Sequence, residues 1–337
     1  MRDYGLIACL VVNIAAGRIV EDTHRLWSME FSLSPWPRTT PRPPRNGDKN
    51  ACAILLAALA LSFLPPPLAA QERAAPPRFH SRAIRVQPLD PVGDRMPAPW
   101  LTHGPTTSRP IASISKLMAL MVVLDRDLER DGLTKVIASD HRWTRSGARS
   151  RLAIGHAYRN RDLVTAALMS SDNRAVMALG RAVGLPRADF ASAMNRKAQK
   201  LGLKRSRFKE PTGLSYGNVS SPEGVLITLR AALDYPPIRA ATSANATTIR
   251  PAGRPRSGRQ YVNTNRLVRW GVPGILGGKT GYNRKAGHCL TFAMEVDGQR
   301  VGVAILGAPS RERLFRDAKV IAQWIPRESR RRQAESP

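Results

Sequence analysis

The sequence is poor in the residues that staple or metallate a fold. Its 337 residues include three cysteines, Cys9, Cys52 and Cys289, with no metal-ligand spacing and no plausible disulfide framework. The histidines add nothing to this, since His141, His156 and His288 stand far apart without an H-x-x-x-H pair. No metal site is therefore expected. Acidic residues are also scarce, 25 against 53 basic ones, for a net charge of +28. Such an excess ordinarily points to nucleic acid. Lysine, however, supplies only ten of the 53, and the arginines are scattered through apparent helices and loops. There is no basic helix, zinc-finger spacing or basic stripe interleaved with aromatics, so a nucleic-acid partner is set aside. The cationic surface suits an anionic polymer at most.

What is present begins with an apolar run, Ala51–Leu64, preceded by Arg42, Arg45 and Lys49. It is too short to span a bilayer comfortably and has the length of a signal h-region. Pro65-Pro66-Pro67 closes it, and Leu68-Ala69-Ala70 offers a small-residue cleavage site before Gln71. The expected organisation is an extra N-terminal segment over 1–48 that reads as a misassigned start, and a signal peptide over 49–70. A flexible leader over 71–80, one domain over 81–326 and a basic tail over 327–337 complete it. Export to the periplasm follows, and cleavage would leave Cys289 as the single thiol. The tail RESRRRQAESP has no apolar face, so no membrane anchor is expected after signal cleavage.

At 42% hydrophobic residues the chain can build a substantial core. Ala83–Val86 reads as a short strand. A helix is predicted from Ile111 to about Arg130, with Leu117, Leu120, Met121 and Leu124 on one stripe. Further helices are predicted from Asp162 to Leu168, from Arg174 to Val183 and over Phe190–Leu201. Between the first two of these, an apolar pattern breaks near Ser170–Asn173. Ser221, Pro222 and Glu223 mark another helix start by cap, first-turn proline and dipole complement. The period then shortens to that of strands at Ile275–Tyr282, Cys289–Val296 and Arg300–Leu306, with Asp297-Gly298 as a hairpin turn. Ser310 caps a closing helix that carries Leu314, Phe315, Ala318, Ile321 and Ile325 inward. This order predicts an α+β domain whose sheet joins both ends of the chain.

Three short motifs carry chemistry. Ser113-Ile114-Ser115-Lys116 opens a helix and puts Ser113 and Lys116 on one face. A lysine of lowered pKa can take the serine proton, and the free N–H groups of a helix start can hold an oxyanion. Ser171-Asp172-Asn173 sits at the break between helices. There Ser171 could pass a proton to a leaving amine, and Asn173 could hold a substrate carbonyl or fix Lys116. Lys279-Thr280-Gly281, after Gly277-Gly278, sits in a predicted strand. Gly281 lets a substrate backbone approach, Lys279 and Thr280 could bind a carboxylate, and Lys279 would help depress the pKa of Lys116. Each motif alone is commonplace: a capped helix, a helix breaker, a glycine-rich bend. In this order and these contexts they form the signature shared by class A β-lactamases and penicillin-binding proteins.

At these residues the sequence resembles the S11 family of serine D-Ala-D-Ala peptidases, the low-molecular-mass penicillin-binding proteins. The resemblance runs over roughly 80–326. It includes the stretches PIASISKLM from Pro110, AALMSSDNRAV from Ala166, PTGLSYGNVSSPE from Pro211 and GGKTGYNRKAGHCL from Gly277. Ser150-Arg151-Leu152, MNRKAQKLGL, YPPIR and NTNRLV look closer to the small D-alanyl-D-alanine endopeptidases of that family. The resemblance implies a β-lactamase/transpeptidase-like α+β fold, an antiparallel sheet flanked by helices with a mostly helical subdomain. It implies Ser113 as the acylated nucleophile, Lys116 as its base, and Ser171 and Asn173 in proton shuttling and substrate orientation. Lys279, Thr280, Gly281 and Tyr282 would bind substrate, with the N–H groups of Ser113 and Tyr282 as oxyanion hole. Peptidoglycan stem peptides become the expected substrate, β-lactams the expected covalent inhibitors, and a monomer the expected state, with no metal or cofactor. Arg311 and Arg313 are the candidates for a carboxylate-binding arginine. Two rival readings remain. One is a class A β-lactamase, for which Glu210 invites a deacylating role although Leu214 stands where an Asn is needed. The other is a catalytically idle cell-wall-binding module.

Overall fold

The computed structural model describes residues 78–91, 96–142 and 149–335. The expected extra segment, signal peptide and most of the leader lie outside them. Strands β1 (Ala83–Pro88), β2 (Leu101–His103) and β3 (Arg109–Pro110) lead to a 3-10 turn at Ala112–Ile114 and helix α1 (Ser115–Leu124). There follow β4 (Leu133–Lys135), α2 (Ala138–Arg142), β5 (Ala157–Arg159), α3 (Asn160–Met169), α4 (Asn173–Ala182) and α5 (Arg187–Lys200). The chain continues through β6 (Val219–Ser220), α6 (Pro222–Leu233), α7 (Pro236–Ser243), β7 (Ala246–Ile249), β8 (Arg259–Val262) and α8 (Arg266–Arg269). It closes with β9 (Ile275–Asn283), β10 (Gly287–Val296), β11 (Gln299–Ala308) and α9 (Arg311–Glu335).

The main sheet has the order β2-β1-β11-β10-β9 and is antiparallel throughout. The expected joining of the chain ends is the β1–β11 ladder, from Ala83 opposite Leu306 to Pro88 opposite Val301. The β10–β11 hairpin turns at Asp297-Gly298, both at positive φ (49° and 74°), the backbone that matches strand twist in a two-residue turn. Alternation along the strands then sorts side chains to two faces. Leu290, Phe292, Val303 and Ile305 meet Leu314, Phe315, Ala318, Ile321 and Ile325 of α9 on one side. Cys289, Ala293, Ala304 and Leu306 join the larger core with α1, α3, α4 and α6 on the other.

Three boundaries differ from expectation. The helix after Ile111 starts with a tight 3-10 turn because Ala112 has a φ of 48°, and it stops at Leu124. Asp125 instead ties the chain to α5 and α7, accepting from Lys197 Nζ at 2.7 Å and Tyr235 Oη at 2.5 Å. The leader is held from His80 onward: buried Asp317 of α9 accepts from the N–H groups of His80 and Ser81 and from Ser81 Oγ, at 2.6–3.2 Å. The basic tail is not separate. Helix α9 runs through Pro326 to Glu335, and Glu328, nearly buried, receives Arg331 and Arg332 one turn on. Charge pairing rather than an apolar stripe extends the helix, which is why periodicity alone ends it too early.

Candidate active site

The three motifs converge where the helical half meets the sheet. Ser113 leads the group. The backbone before it is forced into a left-handed turn at Ala112, and two glycines allow its neighbours to close in. A Cβ on Gly213 (φ +86°) would fall 2.2 Å from Ala112 O, and one on Gly281 would fall 2.8 Å from Ile111 O and 3.0 Å from Ser113 N. Strand β9 and the loop 210–218 therefore grip the serine turn from two sides, and only glycine fits at either point.

Lys116, one helical turn on, is 0% exposed. Its Nζ donates to Ser113 Oγ at 2.9 Å, to Asn173 Oδ1 at 2.6 Å and to Thr212 O at 2.5 Å. All three ammonium protons are thus placed. Burial holds the pKa down to about 8, against the opposing pull of the Glu210 and Asp172 carboxylates. Lys279, 1% exposed, is held well below its ordinary value first by burial and then by the charge of Lys116, a repulsion that acts on both ammonium groups. Lys279 Nζ donates to Ser171 Oγ at 3.0 Å and to Thr280 O at 2.8 Å.

The second motif serves two purposes at once. Asp172 caps α4, accepting from Arg174 N at 3.0 Å and Ala175 N at 3.2 Å. Asn173, the first residue of the helix, then faces Lys116. Ser171 is pushed to a φ of 64°, which turns its hydroxyl to Lys279. Thr280 Oγ1 donates to Thr264 Oγ1 at 2.7 Å. Tyr282 is 60% exposed and stacks on His288, with ring centroids 4.3 Å apart. A cavity of about 780 Å³ is lined by Ser113, Ser171, Asn173, Thr280, Gly281 and Tyr282, with the two lysines behind its wall. The residues of the three motifs and Tyr282 are brought together in this cluster.

Two contributors, the Thr212 carbonyl and Thr264, escaped the sequence reading, and two residues it named, Arg311 and Glu210, take definite places. The Thr212 carbonyl orders both Ser113 and Lys116, and a backbone acceptor leaves no residue-type signal. Thr264 lies inside the NTNRLV stretch without a role suggested by spacing. Of the two arginine candidates, Arg311 lines the cavity and Arg313 does not. Glu210, 7% exposed, accepts from Thr212 N, Thr212 Oγ1, Gly213 N, Ser215 N and Asn218 Nδ2 within 3.3 Å. Its lone pairs are committed to holding the loop that carries Thr212. A carboxylate so occupied has no capacity left to activate water.

A serine paired to a buried lysine, beside a glycine-bearing edge strand of an antiparallel sheet, defines a serine–lysine hydrolase of the penicillin-binding fold. Residues 101–310 match the peptidase S11 family, described as D-alanyl-D-alanine carboxypeptidase, and the chain belongs to that family. It is 37% identical over 224 residues to the D-alanyl-D-alanine endopeptidase of Escherichia coli K12, covering 66% of this chain and 72% of the relative. The corresponding protein of Pseudomonas aeruginosa is 35% identical over the same length and shares. In fold it is similar to the DD-transpeptidase of Streptomyces K15, at a TM-score of 0.65 and 22% identity, over 74% of this chain and 97% of that one. Among the described residues, no helix is long and apolar enough to cross a membrane, and no group of residues could hold a metal ion.

Proposed function

We propose that the protein is a periplasmic serine peptidase that cuts D-alanyl bonds in peptidoglycan stem peptides, including cross-links, through an acyl-enzyme on Ser113. The 2.9 Å contact between Ser113 Oγ and the fully buried Lys116 Nζ carries this reading. In its neutral form Lys116 takes the Ser113 proton as the oxygen adds to the peptide carbonyl. The N–H groups of Ser113 and Tyr282 receive the oxyanion. The proton passes from Lys116 through Ser171, which is held by Lys279, to the departing amine; the C–N bond breaks and Lys116 is neutral again. Water then attacks the ester with Lys116 again as base, releasing the acyl product and restoring Ser113. Asn173 orients both the substrate and Lys116. Thr280 and Lys279 supply polar and positive contacts for a substrate carboxylate, with Gly281 leaving room for the substrate backbone. The relatives named as endopeptidases support cross-links as substrate. The occupied state of Glu210 argues against rapid β-lactam turnover.

Purified protein should take a persistent label from a fluorescent penicillin, lost in Ser113→Ala. It should also convert cross-linked muropeptide dimers to monomers. Rapid release of hydrolysed penicillin would favour a β-lactamase. Binding to cell walls without released products would favour the idle module.

A further inference from the structure

A second cavity, of about 240 Å³, adjoins the first and shares Ser170, Thr264 and Arg311 with it. Four arginines line it: Arg149 and Arg151 from the segment before β5, Arg269 from α8, and Arg311 from the start of α9. The carboxylate in its lining, Asp172, is already engaged by the first turn of α4 and by Ser150 Oγ at 2.7 Å. Arg151 also donates to Gln260 O and lies over the Tyr261 ring. The charges press on one another: burial, Arg266 and Arg269 together lower the proton affinity of Arg311. Positive charge gathered in a concave annex of a reaction groove is complementary to a polyanionic part of what the groove binds.

The position indicates which part. Ser171, which would protonate the departing amine, lies between Ser170 and Asp172, and both of these line the annex. A group leaving past Ser171 extends toward the arginines. A single amino acid leaving group carries one carboxylate, and Thr280 and Arg311 in the main groove can absorb it. A leaving peptide strand carries further carboxylates, and only that substrate reaches beyond the shared Arg311 to Arg149, Arg151 and Arg269.

We infer that the arginine annex is the subsite for a carboxylate-bearing peptide leaving group, and that it biases the enzyme toward cutting between two peptide strands over releasing a terminal amino acid. This rests on the acyl-enzyme reading of Ser113. The test compares wild type with the double variant Arg149→Gln/Arg269→Gln, two exposed side chains outside the acylation machinery. Three substrates are used: a cross-linked muropeptide dimer, the same dimer with its free carboxylates amidated, and an uncross-linked pentapeptide stem. The variant should lose roughly tenfold in kcat/KM on the dimer. Its penicillin acylation and its kcat/KM on the pentapeptide should stay within about twofold of wild type, which also reports a correctly folded site. The amidated dimer should not distinguish the two proteins, and Arg149→Lys/Arg269→Lys should recover most of the loss. An unchanged rate on the dimer, or an equal fall on dimer and pentapeptide, overturns the subsite. A wild-type protein that cuts none of the three and takes no penicillin label overturns the parent reading instead.

Discussion

The buried lysine beside Ser113 sets how acylation depends on pH. Only its neutral form can accept the serine proton, so the acylation rate should follow the free fraction of Lys116. With a pKa held near about 8 by burial, that fraction is roughly 1% at pH 6, 9% at pH 7, 50% at pH 8 and 90% at pH 9. The second-order rate constant for a fluorescent penicillin, measured from pH 5.5 to 9.5, should rise about tenfold per pH step below 7 and level off above 8.5. Charge supplies a directional check. The Asp172 carboxylate raises the lysine pKa. Asp172→Asn keeps a side-chain oxygen for the α4 cap, so the inflection should move to lower pH and the rate at pH 6.5 should increase. A flat profile in wild type, or an inflection that Asp172→Asn leaves in place, refutes Lys116 as the titrating base. The same lysine marks stability with a definite sign. Its folded pKa is depressed, so folding carries the full penalty below pH 8, where both states are protonated. As pH rises from about 8 to 10.5, the folded state releases its proton first and about 3 kcal/mol of stability returns.

Three further outcomes follow from the geometry. Gly281→Ala places a methyl group against Ile111 O and Ser113 N. It should slow penicillin acylation on the order of 100-fold while circular dichroism still shows a folded protein, and a wild-type rate would mean the strand need not approach the serine turn so closely. Glu210→Gln removes a charged acceptor of five hydrogen bonds and should cost about 3 kcal/mol by urea denaturation. An unchanged midpoint with a longer-lived acyl-enzyme would instead restore Glu210 as a deacylating base. Asp317→Ala leaves His80 and Ser81 without their anchor on α9 and should cost about 2–3 kcal/mol, read as an earlier thermal midpoint, with penicillin acylation rates unaltered at 25 °C.

The sheet and its closing helix were legible because each speaks through a strict period. Leu290, Phe292, Val303 and Ile305 alternate along β10 and β11, and α9 repeats apolar residues every three or four positions. The meeting of the three motifs was legible because they keep fixed order and context. Interactions that run through the backbone or through distant polar pairs were not. Nothing local marks the Thr212 carbonyl as the acceptor for Lys116, or Asp125 as the partner that ends α1 by holding Lys197 and Tyr235. The arginine-rich end of the chain misled for a related reason, since its helix is sustained by Glu328 and its partners at three- and four-residue spacing, not by an apolar face. The dominant cause of the lowered lysine pKa values was also not legible, because burial depth, which comes first for both lysines, is a tertiary quantity.

The polar pieces of the site make sense only together. Two lysines are buried within reach of one serine turn, and both are costly to keep charged. Two of the four described non-glycine residues with positive φ, Ala112 and Ser171, sit beside them, each such conformation costing on the order of 1–3 kcal/mol. These costs are borne by parts that do no chemistry: the Glu210 loop, which fixes Thr212; the Asp172 cap, which fixes Asn173; and the glycines at 213 and 281, which let the strands close. Relieving either burial or strain would stabilise the fold and lose the function. A Lys116 with full access to water would return to its ordinary pKa, and at pH 7 its free-base fraction would fall by more than a hundredfold. On the proposed acyl-enzyme route the unfavourable placement of the lysine is the source of the serine's reactivity, and the surrounding loop is the structure that makes the placement tolerable.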